Sequence, residues 1–231
     1  MSTSGPILKK YVIIVAGGSG TRMQSAVPKQ FLLLNGRPVL MHTIEAFYNS
    51  QSRPQIIIVL PAAYQSYWKQ LCFDYNFTIA HQLVTGGETR FHSVKNGLDK
   101  IGEDSGALVA VHDAVRPLPG EDVIIESYKC AAENGNAITA VKSRDSVRQL
   151  KNGISTCLTR DDIYLVQTPQ AFRVEQLKKA YTQPFNEAFT DDASVAEAAG
   201  FKIFLIGGSY RNIKITFPED ILIAEKLLAG R

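Results

Sequence analysis

Short apolar segments alternate with amphipathic segments along most of the chain. Apolar runs typical of strands cover 11–15, 55–60, 79–84, 107–111, 137–141 and 203–206. Helical patterns lie between them, over 39–48, 62–73, 91–100, 121–133, 174–181, 192–199 and 218–229. Near-continuous apolar strands separated by helices are typical of a parallel sheet buried on both faces. The pattern predicts an α/β fold with a single doubly wound, mostly parallel sheet flanked by helices.

Residues 142–166 interrupt this alternation. They contain Asn152-Gly153 between β-forming residues, which is the strongest short signal for a hairpin with a type I′ turn. A two-stranded hairpin is marginally stable alone, so it must pack either on its own domain or on a second subunit. We therefore predict one domain over 1–231 with a protruding β-hairpin arm, used for dimerisation, at about 142–166.

Composition and charge exclude several classes of protein. The chain has 231 residues and a formal net charge of +3, which is too small for a nucleic-acid binder. It has no apolar run of about 18 residues, and residues 1–5 lack the pattern of a signal peptide. Its three cysteines, Cys72, Cys130 and Cys157, are widely spaced, which favours a reduced, cytoplasmic setting. We expect no nucleic-acid or membrane partner and a small anionic ligand.

The clearest candidate binding loop follows the first apolar segment. It reads A-G-G-S-G-T-R-M over 16–23 and is closed by P-K-Q-F over 28–31. Glycines let backbone N–H groups approach an anion, and Arg22 and Lys29 add two positive charges. The loop matches neither the P-loop nor the dinucleotide pattern. An ordinary tight turn is the alternative, but the two cations favour a polyphosphate site.

Two further loops carry polar residues where strands are predicted to end. Gly87 and Arg90 precede a helical pattern, as in a phosphate site at a helix N-terminus or, alternatively, in a capped helix start with a solvated Arg90. Asp113 follows a central apolar run, which suits a Mg²⁺ ligand, although it could instead pair with Arg116. We expect His112 to be structural.

Thr190, Asp191 and Asp192 precede another helical pattern. Acidic residues favour the first turn of a helix, and this capping role accounts for both carboxylates.

The sequence shows no serine or cysteine nucleophile pattern and no paired metal-binding histidines. Its candidate chemistry is cationic, from Arg22, Lys29, Arg90, Arg116, Arg160 and Lys214. Phosphoryl-type transfers need mainly positioning and charge neutralisation. The residues therefore favour phosphate-transfer chemistry.

Six motifs in order resemble the 2-C-methyl-D-erythritol 4-phosphate cytidylyltransferases of the non-mevalonate isoprenoid pathway. The resemblance extends from about Tyr11 to Leu228. The motifs are the glycine loop with P-K-Q-F, G-G-x-x-R-x-x-S-V-x-N-G-L (86–98), V-H-D-A-V-R-P (111–117), Q-T-P-Q-x-F (167–172), T-D-D-A-S (190–194) and N-I-K-I-T-x-P-E-D (212–220).

This resemblance implies a fold like that of the nucleotide-diphospho-sugar transferases. It also implies that CTP and 2-C-methyl-D-erythritol 4-phosphate give 4-diphosphocytidyl-2-C-methyl-D-erythritol and pyrophosphate, with Mg²⁺. The enzyme would be a homodimer that exchanges its arms. The attacking phosphate monoester is already largely anionic near neutral pH, so no general base is expected.

The resemblance also implies roles for individual residues. Catalytic roles fall to Arg22, Lys29, Arg160 and Lys214. Asp113 would ligate the metal. Nucleotide-binding roles fall to Ala16, Gly17, Gly18, Ser19, Gly20, Gly87, Arg90, Ser93, Asp113, Ala114, Arg116, Ser146 and Thr168. Arg160 would complete the neighbouring subunit's site, and Ser146 stands where many members carry threonine.

Three other functions compete with this interpretation. Ribitol 5-phosphate cytidylyltransferases share the glycine loop, P-K-Q-F and T-P-Q, but residues 90–98 and 190–194 look more like the methylerythritol enzymes. A nucleotide-binding module without catalysis would not need both Arg22 and Lys29. Sugar-1-phosphate nucleotidyltransferases use a similar loop, but many carry a large extra C-terminal domain.

Overall fold

The structure, a computed structural model, describes residues 8–17, 27–102 and 106–230. Among these residues, seven strands form one sheet in the order β11-β7-β10-β6-β1-β4-β5. The sheet strands are β1 (Lys10–Val15), β4 (Gln55–Leu60), β5 (Gln82–Thr85), β6 (Leu108–Asp113), β7 (Asn136–Lys142), β10 (Tyr164–Arg173) and β11 (Leu205–Gly207). The helices are α1 (Val39–Asn49), α2 (Ala62–Asp74), α3 (Arg90–Leu98), α4 (Glu121–Asn134), α5 (Val174–Ala180), α6 (Asp192–Ala198) and α7 (Glu219–Ala229).

Strand β1 lies at the centre of the sheet and is parallel to both neighbours. Ile13 pairs with Ile57 of β4 on one side and with Val111 of β6 on the other. Alternate residues of β1 face opposite sides: Ile14 belongs to the apolar cluster that contains Phe47, whereas Ile13 belongs to the cluster that contains Phe91. Burial on both faces explains the continuous apolar run, and the predicted doubly wound, mostly parallel sheet is confirmed.

The sequence interpretation missed strand β10. It assigned residues up to 166 to the arm and predicted no strand over 167–173, whereas Tyr164–Arg173 forms one strand antiparallel to both β6 and β7. The pairing with β7 is irregular between Val166 and Gln170, where the Thr168-Pro169 peptide is cis. Buried polar residues and a proline interrupt the apolar periodicity there, so the pattern carried no strand signal.

The predicted hairpin is confirmed as β8 (Arg148–Lys151) and β9 (Ile154–Cys157), which pair around Asn152 and Gly153. Both turn residues have positive φ, 53° and 77°. All eight strand residues are exposed. We call Arg148–Cys157 the hairpin arm.

A second, smaller hairpin was not predicted. It consists of β2 (Leu33–Leu34) and β3 (Arg37–Pro38) and turns at Asn35-Gly36, which carried the same signal. The strand predicted over 79–84 begins only at Gln82. Of the helices in the described ranges, none is long and apolar enough to cross a membrane.

Candidate active site

Two adjoining cavities lie at the carboxyl edge of the parallel strands, where ligands bind in such sheets. The first, of about 220 Å³, is lined by Val15, Ala16, Gly17, Lys29, Gln30, Gly87, Glu88, Thr89, Arg90, Ser93, Asp113, Ala114, Val115 and Lys214. The second, of about 240 Å³, shares Arg90, Asp113 and Lys214 and adds Arg116 and Thr168. A larger cavity of about 870 Å³ lies at the opposite strand ends and contains none of the predicted site residues.

Asp113, the last residue of β6, lies among three cations. Its Oδ2 is 2.9 Å from Lys214 Nζ and 3.3 Å from Arg116 Nε, and its Oδ1 is 3.9 Å from Arg90 Nε. Burial raises the pKa of the Asp113 carboxyl, but these three positive charges outweigh burial and hold the pKa well below its usual range. The predicted pairing with Arg116 is therefore present, and the carboxylate stays charged.

Arg90, the first residue of α3, is not the solvated side chain considered above. Its Nη2 lies 2.6 Å from Oδ2 of Asp192, whose side chain is fully buried. Burial lowers the pKa of Arg90, but the negative charges of Asp192 and Asp113 raise the pKa by more than burial lowers it. The guanidinium therefore stays protonated.

The capping explanation for the tandem acids is correct only for Asp191. Asp191 accepts a hydrogen bond from the Ser194 N–H at 2.8 Å and caps α6. Asp192 instead accepts from Arg90 and, through Oδ1, from the Tyr181 hydroxyl at 2.7 Å. Its partners are far away in the sequence, so local patterns carried no sign of this role.

Lys29 is held in a short 3₁₀ turn at one wall of the first cavity. The Lys29 ammonium donates to the Ile215 carbonyl at 3.2 Å. Next to it, the Gln30 amide donates to the Ala16 carbonyl at 2.9 Å, and the Phe31 ring meets the Tyr67 ring edge-on at 5.2 Å. The sequence interpretation assigned no role to Gln30, whose bond ties the P-K-Q-F segment to the start of the glycine loop.

The loop before α3 requires glycine at position 87. A Cβ there would overlap the Cβ of His92, so the backbone approaches the helix as only glycine can. The Gly87 N–H donates to Ser93 Oγ at 3.1 Å, and Thr89 caps α3. The predicted Gly87, Arg90 and Ser93 thus lie around one cavity.

Buried hydrogen bonds join the segments that carry Asp113, Thr168 and Lys214. The Asp113 N–H donates to Thr168 Oγ1 at 3.0 Å, and the Asn212 amide donates to the Thr168 carbonyl at 2.8 Å. Arg116 Nη1 donates to the Asn212 carbonyl at 2.8 Å. Asn212 is fully buried and was not singled out from the sequence, although it begins the motif that contains Lys214.

His112 is structural, as expected. Its ring is fully buried, with Nε2 3.0 Å from the Arg116 carbonyl oxygen, and burial lowers its pKa to about 4.

The structure does not bring every predicted residue to the cavities. Ser146 and Arg160 are exposed and line neither cavity. Arg160 Nε lies 3.7 Å from the neighbouring Asp161 carboxylate. The predicted Gly18, Ser19, Gly20 and Arg22 lie outside the described residues.

The described walls of the cavities offer a divalent cation single carboxylates and no preformed cage. Within the described ranges, no group of three or more His, Cys, Asp and Glu side chains could hold a metal. Mg²⁺, however, is commonly bound by one or two carboxylates together with substrate phosphates and waters. Oδ1 of Asp113 fits this mode, since Arg90 Nε lies 3.9 Å from it, beyond hydrogen-bonding distance.

Comparison with known proteins agrees with this architecture. Residues 10–230 match the model of the 2-C-methyl-D-erythritol 4-phosphate cytidylyltransferase family. The chain is 49% identical over 221 residues to the enzyme of that name from Phocaeicola vulgatus, with 96% of this chain and 100% of the relative covered. It is 44% identical to the Porphyromonas gingivalis enzyme over 223 residues, with 96% and 99% covered.

Solved structures give the same result. The 4-diphosphocytidyl-2C-methyl-D-erythritol synthase of Anaerococcus prevotii superimposes with a TM-score of 0.82 at 30% identity, covering 96% of this chain and 97% of that one. The Francisella tularensis 2-C-methyl-D-erythritol 4-phosphate cytidylyltransferase gives 0.78 at 33% identity, covering 95% and 99%.

A mostly parallel sheet that places cations and glycine-containing loops at its carboxyl edge, together with these matches, defines the protein as a nucleotidyltransferase. The chain belongs to the 2-C-methyl-D-erythritol 4-phosphate cytidylyltransferase family. It transfers the cytidylyl group of CTP to 2-C-methyl-D-erythritol 4-phosphate in isoprenoid biosynthesis. The ribitol 5-phosphate alternative is not favoured by these matches.

Proposed function

We propose that the two adjoining cavities form one active site for an in-line displacement at the α-phosphorus of CTP. A phosphate oxygen of methylerythritol phosphate forms the new P–O bond. The bond from the α-phosphorus to the oxygen bridging to the β-phosphorus breaks, and pyrophosphate leaves with the electron pair. The main support is that Lys29, Arg90 and Lys214 line one cavity around the buried carboxylate of Asp113.

In this proposal the cations neutralise charge that develops on the transferring and leaving phosphates. Lys29 and Arg22 act on the α-phosphate and pyrophosphate, and Lys214 orients the attacking phosphate. The hydrogen bond from Lys29 to Ile215, next to Lys214 in sequence, supports a shared role for the two lysines.

The other residues to which the family resemblance assigns a role bind the nucleotide in this proposal. The set comprises Ala16, Gly17, Gly18, Ser19, Gly20, Gly87, Arg90, Ser93, Asp113, Ala114, Arg116, Ser146 and Thr168. Support comes from the position of Gly87, Ser93 and Ala114 on the wall of the first cavity and of Arg116 and Thr168 on the wall of the second.

We also propose that Asp113 holds Mg²⁺ through Oδ1. A bound magnesium ion would neutralise phosphate charge and orient the triphosphate. Asp113→Asn keeps the size of the side chain and removes its charge. We expect this variant to lose binding of Mn²⁺, the spectroscopic substitute, as measured by electron paramagnetic resonance of the free ion. Unchanged Mn²⁺ binding would contradict the assignment.

The substrate assignment is tested by pyrophosphate release from CTP and Mg²⁺ with either polyol phosphate. We expect turnover with methylerythritol phosphate and not with ribitol 5-phosphate. Turnover with ribitol 5-phosphate alone would keep the chemistry and overturn the substrate. The absence of pyrophosphate release with both substrates would indicate a nucleotide-binding module.

We further propose a homodimer of one-domain subunits (1–231) in which the arm region, 142–166, completes the neighbouring active site. Two observations support this. Ser146 and Arg160 are exposed and away from both cavities of their own chain, and Leu150 and Ile154 of the hairpin arm are 72% and 68% exposed.

Mixed dimers test the exchange directly. Lys29→Ala and Arg160→Ala each inactivate a site, but a dimer with one subunit of each kind has one complete site if Arg160 acts in the neighbour. Co-expression with random pairing should therefore restore about a quarter of wild-type activity. If Arg160 acts in its own chain, activity stays at the level of the single variants.

A cytoplasmic location is also proposed. It is supported by the three cysteines, all free: Cys130 is buried, Cys157 is exposed and Cys72 is intermediate. Cell fractionation with detection of the protein tests this, and recovery in a secreted fraction would contradict it.

A further inference from the structure

The Asp192 carboxylate is a fully buried negative charge immediately behind the active site. Both of its oxygens are occupied: Oδ1 accepts from Tyr181 at 2.7 Å, and Oδ2 pairs with Arg90 Nη2 at 2.6 Å. Tyr181 is itself buried, and its ring stacks on Phe91 with centroids 4.6 Å apart. A buried carboxylate in such surroundings must be paired, so Arg90 and Asp192 hold each other in place.

This pair determines how closely Arg90 approaches Asp113. Arg90 Nη2 is held by Asp192 at 2.6 Å, and Arg90 Nε stays 3.9 Å from Asp113 Oδ1. That distance exceeds a hydrogen bond, whereas Lys214 and Arg116 both contact the other oxygen, Oδ2. Oδ1 of Asp113 therefore faces the cavity without a hydrogen bond to Arg90. The positive charge of Arg90 is neutralised by the Asp192 carboxylate.

We propose that Asp192 is a positioning residue that keeps Arg90 from closing onto Asp113 and so preserves Oδ1 for a divalent cation. Without the Asp192 charge, Arg90 can turn fully toward Asp113. Arg90 then competes with the cation for Oδ1. Its guanidinium charge is also no longer neutralised by Asp192, so it repels the cation. This inference rests on the proposed role of Asp113 as the metal ligand.

Binding of Mn²⁺ in the presence of saturating CTP, without the polyol phosphate, tests the inference separately from catalysis. Asp192→Asn keeps the shape of the side chain, and we expect it to weaken Mn²⁺ binding about tenfold. In turnover assays the concentration of Mg²⁺ needed for half-maximal rate should rise, while the rate at saturating Mg²⁺ recovers toward the wild-type value. A purely structural role would instead lower the rate at every Mg²⁺ concentration.

Ser194→Ala is the matched control. It removes the Ser194 hydroxyl contacts of the α6 capping box but leaves the Arg90–Asp192 pair intact. It should lower the melting temperature and leave Mn²⁺ binding unchanged. Tyr181→Phe is the second variant, for use if Asp192→Asn does not fold. It removes only the hydroxyl that holds Asp192, and Mn²⁺ binding should weaken about two- to threefold.

The outcomes separate the two proposals. If Asp113→Asn abolishes Mn²⁺ binding and the Asp192 and Tyr181 variants bind it as the wild type does, the inference fails and the metal site stands. If the wild type has no Mn²⁺ site that depends on Asp113, the metal proposal fails, and the inference fails with it.

Discussion

Predicted functional residues lie in two opposite structural settings: the charged floor of the cavities (Asp113 with Arg90, Arg116 and Lys214) and the arm region, 142–166. The Asp113 side chain is buried, and Arg90, Arg116 and Lys214 lie 2.9 to 3.9 Å from its carboxylate oxygens. On the arm every residue of both strands is exposed, including the apolar Leu150 and Ile154. One chain is sufficient to order the floor, but it leaves the apolar side chains of the arm in water.

The floor and the arm also differ in how far a single chain stabilises them. A carboxylate buried among three cations would be costly if any partner were removed, so the floor maintains its geometry without ligands. A hairpin alone is marginal, and burial of Leu150 or Ile154 would stabilise it by about 1.5–3 kcal/mol each. The difference supports the proposal that the floor acts within one subunit and the arm by contact with another.

The largest effect is expected in the cavities, at Lys29. Lys29→Ala should lower kcat about 10²–10³-fold, because a fixed donor to developing phosphate charge is lost, while the subunits remain associated. Steady-state pyrophosphate release and size-exclusion chromatography measure the two properties. Lys69→Ala, which removes an exposed lysine of α2, is the control and should leave both unchanged. Near-normal turnover of Lys29→Ala would refute the assigned role.

The second effect is expected on the arm. Leu150→Asp combined with Ile154→Asp should convert the proposed dimer to monomers, because carboxylates would have to be buried against the partner. Activity should fall about tenfold or more as the arm residues leave the neighbouring site. Analytical ultracentrifugation and turnover follow both changes.

Phe73→Asp controls for the chemistry of that change. Phe73 is 79% exposed on α2, and its substitution should not alter the oligomeric state. A double arm variant that remains dimeric and active would show that the arm lies on its own domain instead.

The smallest expected effect is on the pH dependence of stability, which we attribute to His81 and not to the arm. His81 accepts a hydrogen bond from the buried Trp68 indole through Nε2 at 3.1 Å, and its Nδ1 lies 2.7 Å from the Ile79 carbonyl oxygen, so the neutral ring is the form that fits. Burial lowers the pKa of His81 below its ordinary value of 6.5. Below about pH 6.5 the unfolded chain takes up a proton that the folded protein resists, and stability falls as pH falls.

Thermal melts between pH 7.5 and 5 measure this dependence. His81→Gln offers Trp68 an acceptor that does not titrate, so we expect a flatter dependence and a stability within about 1 kcal/mol of wild type at pH 7.5. The double arm variant should keep the wild-type slope, since the arm strands contain no buried titratable group. An unchanged slope in His81→Gln would rule out this source of the dependence.

Local signals in the sequence determined much of the fold. The apolar run over 11–15 predicted the central strand, because a strand buried on both faces must be apolar throughout. Asn152-Gly153 predicted the hairpin, because both positions require positive φ. The ends of the predicted strands pointed to the loops that carry Lys29 and Asp113, and the family resemblance added Lys214 and the reaction.

Only the tertiary structure decided the roles of the buried polar residues. Arg90 and Asp192 are 102 residues apart, and Lys29 and the Ile215 carbonyl are 186 residues apart. Strand β10 was hidden for the same reason: its Thr168 and Gln170 are buried because the Asp113 and Ala193 backbone N–H groups bond to them. A buried polar side chain is stabilised by its partner rather than by its neighbours in sequence, so periodicity and local propensity carry no record of it.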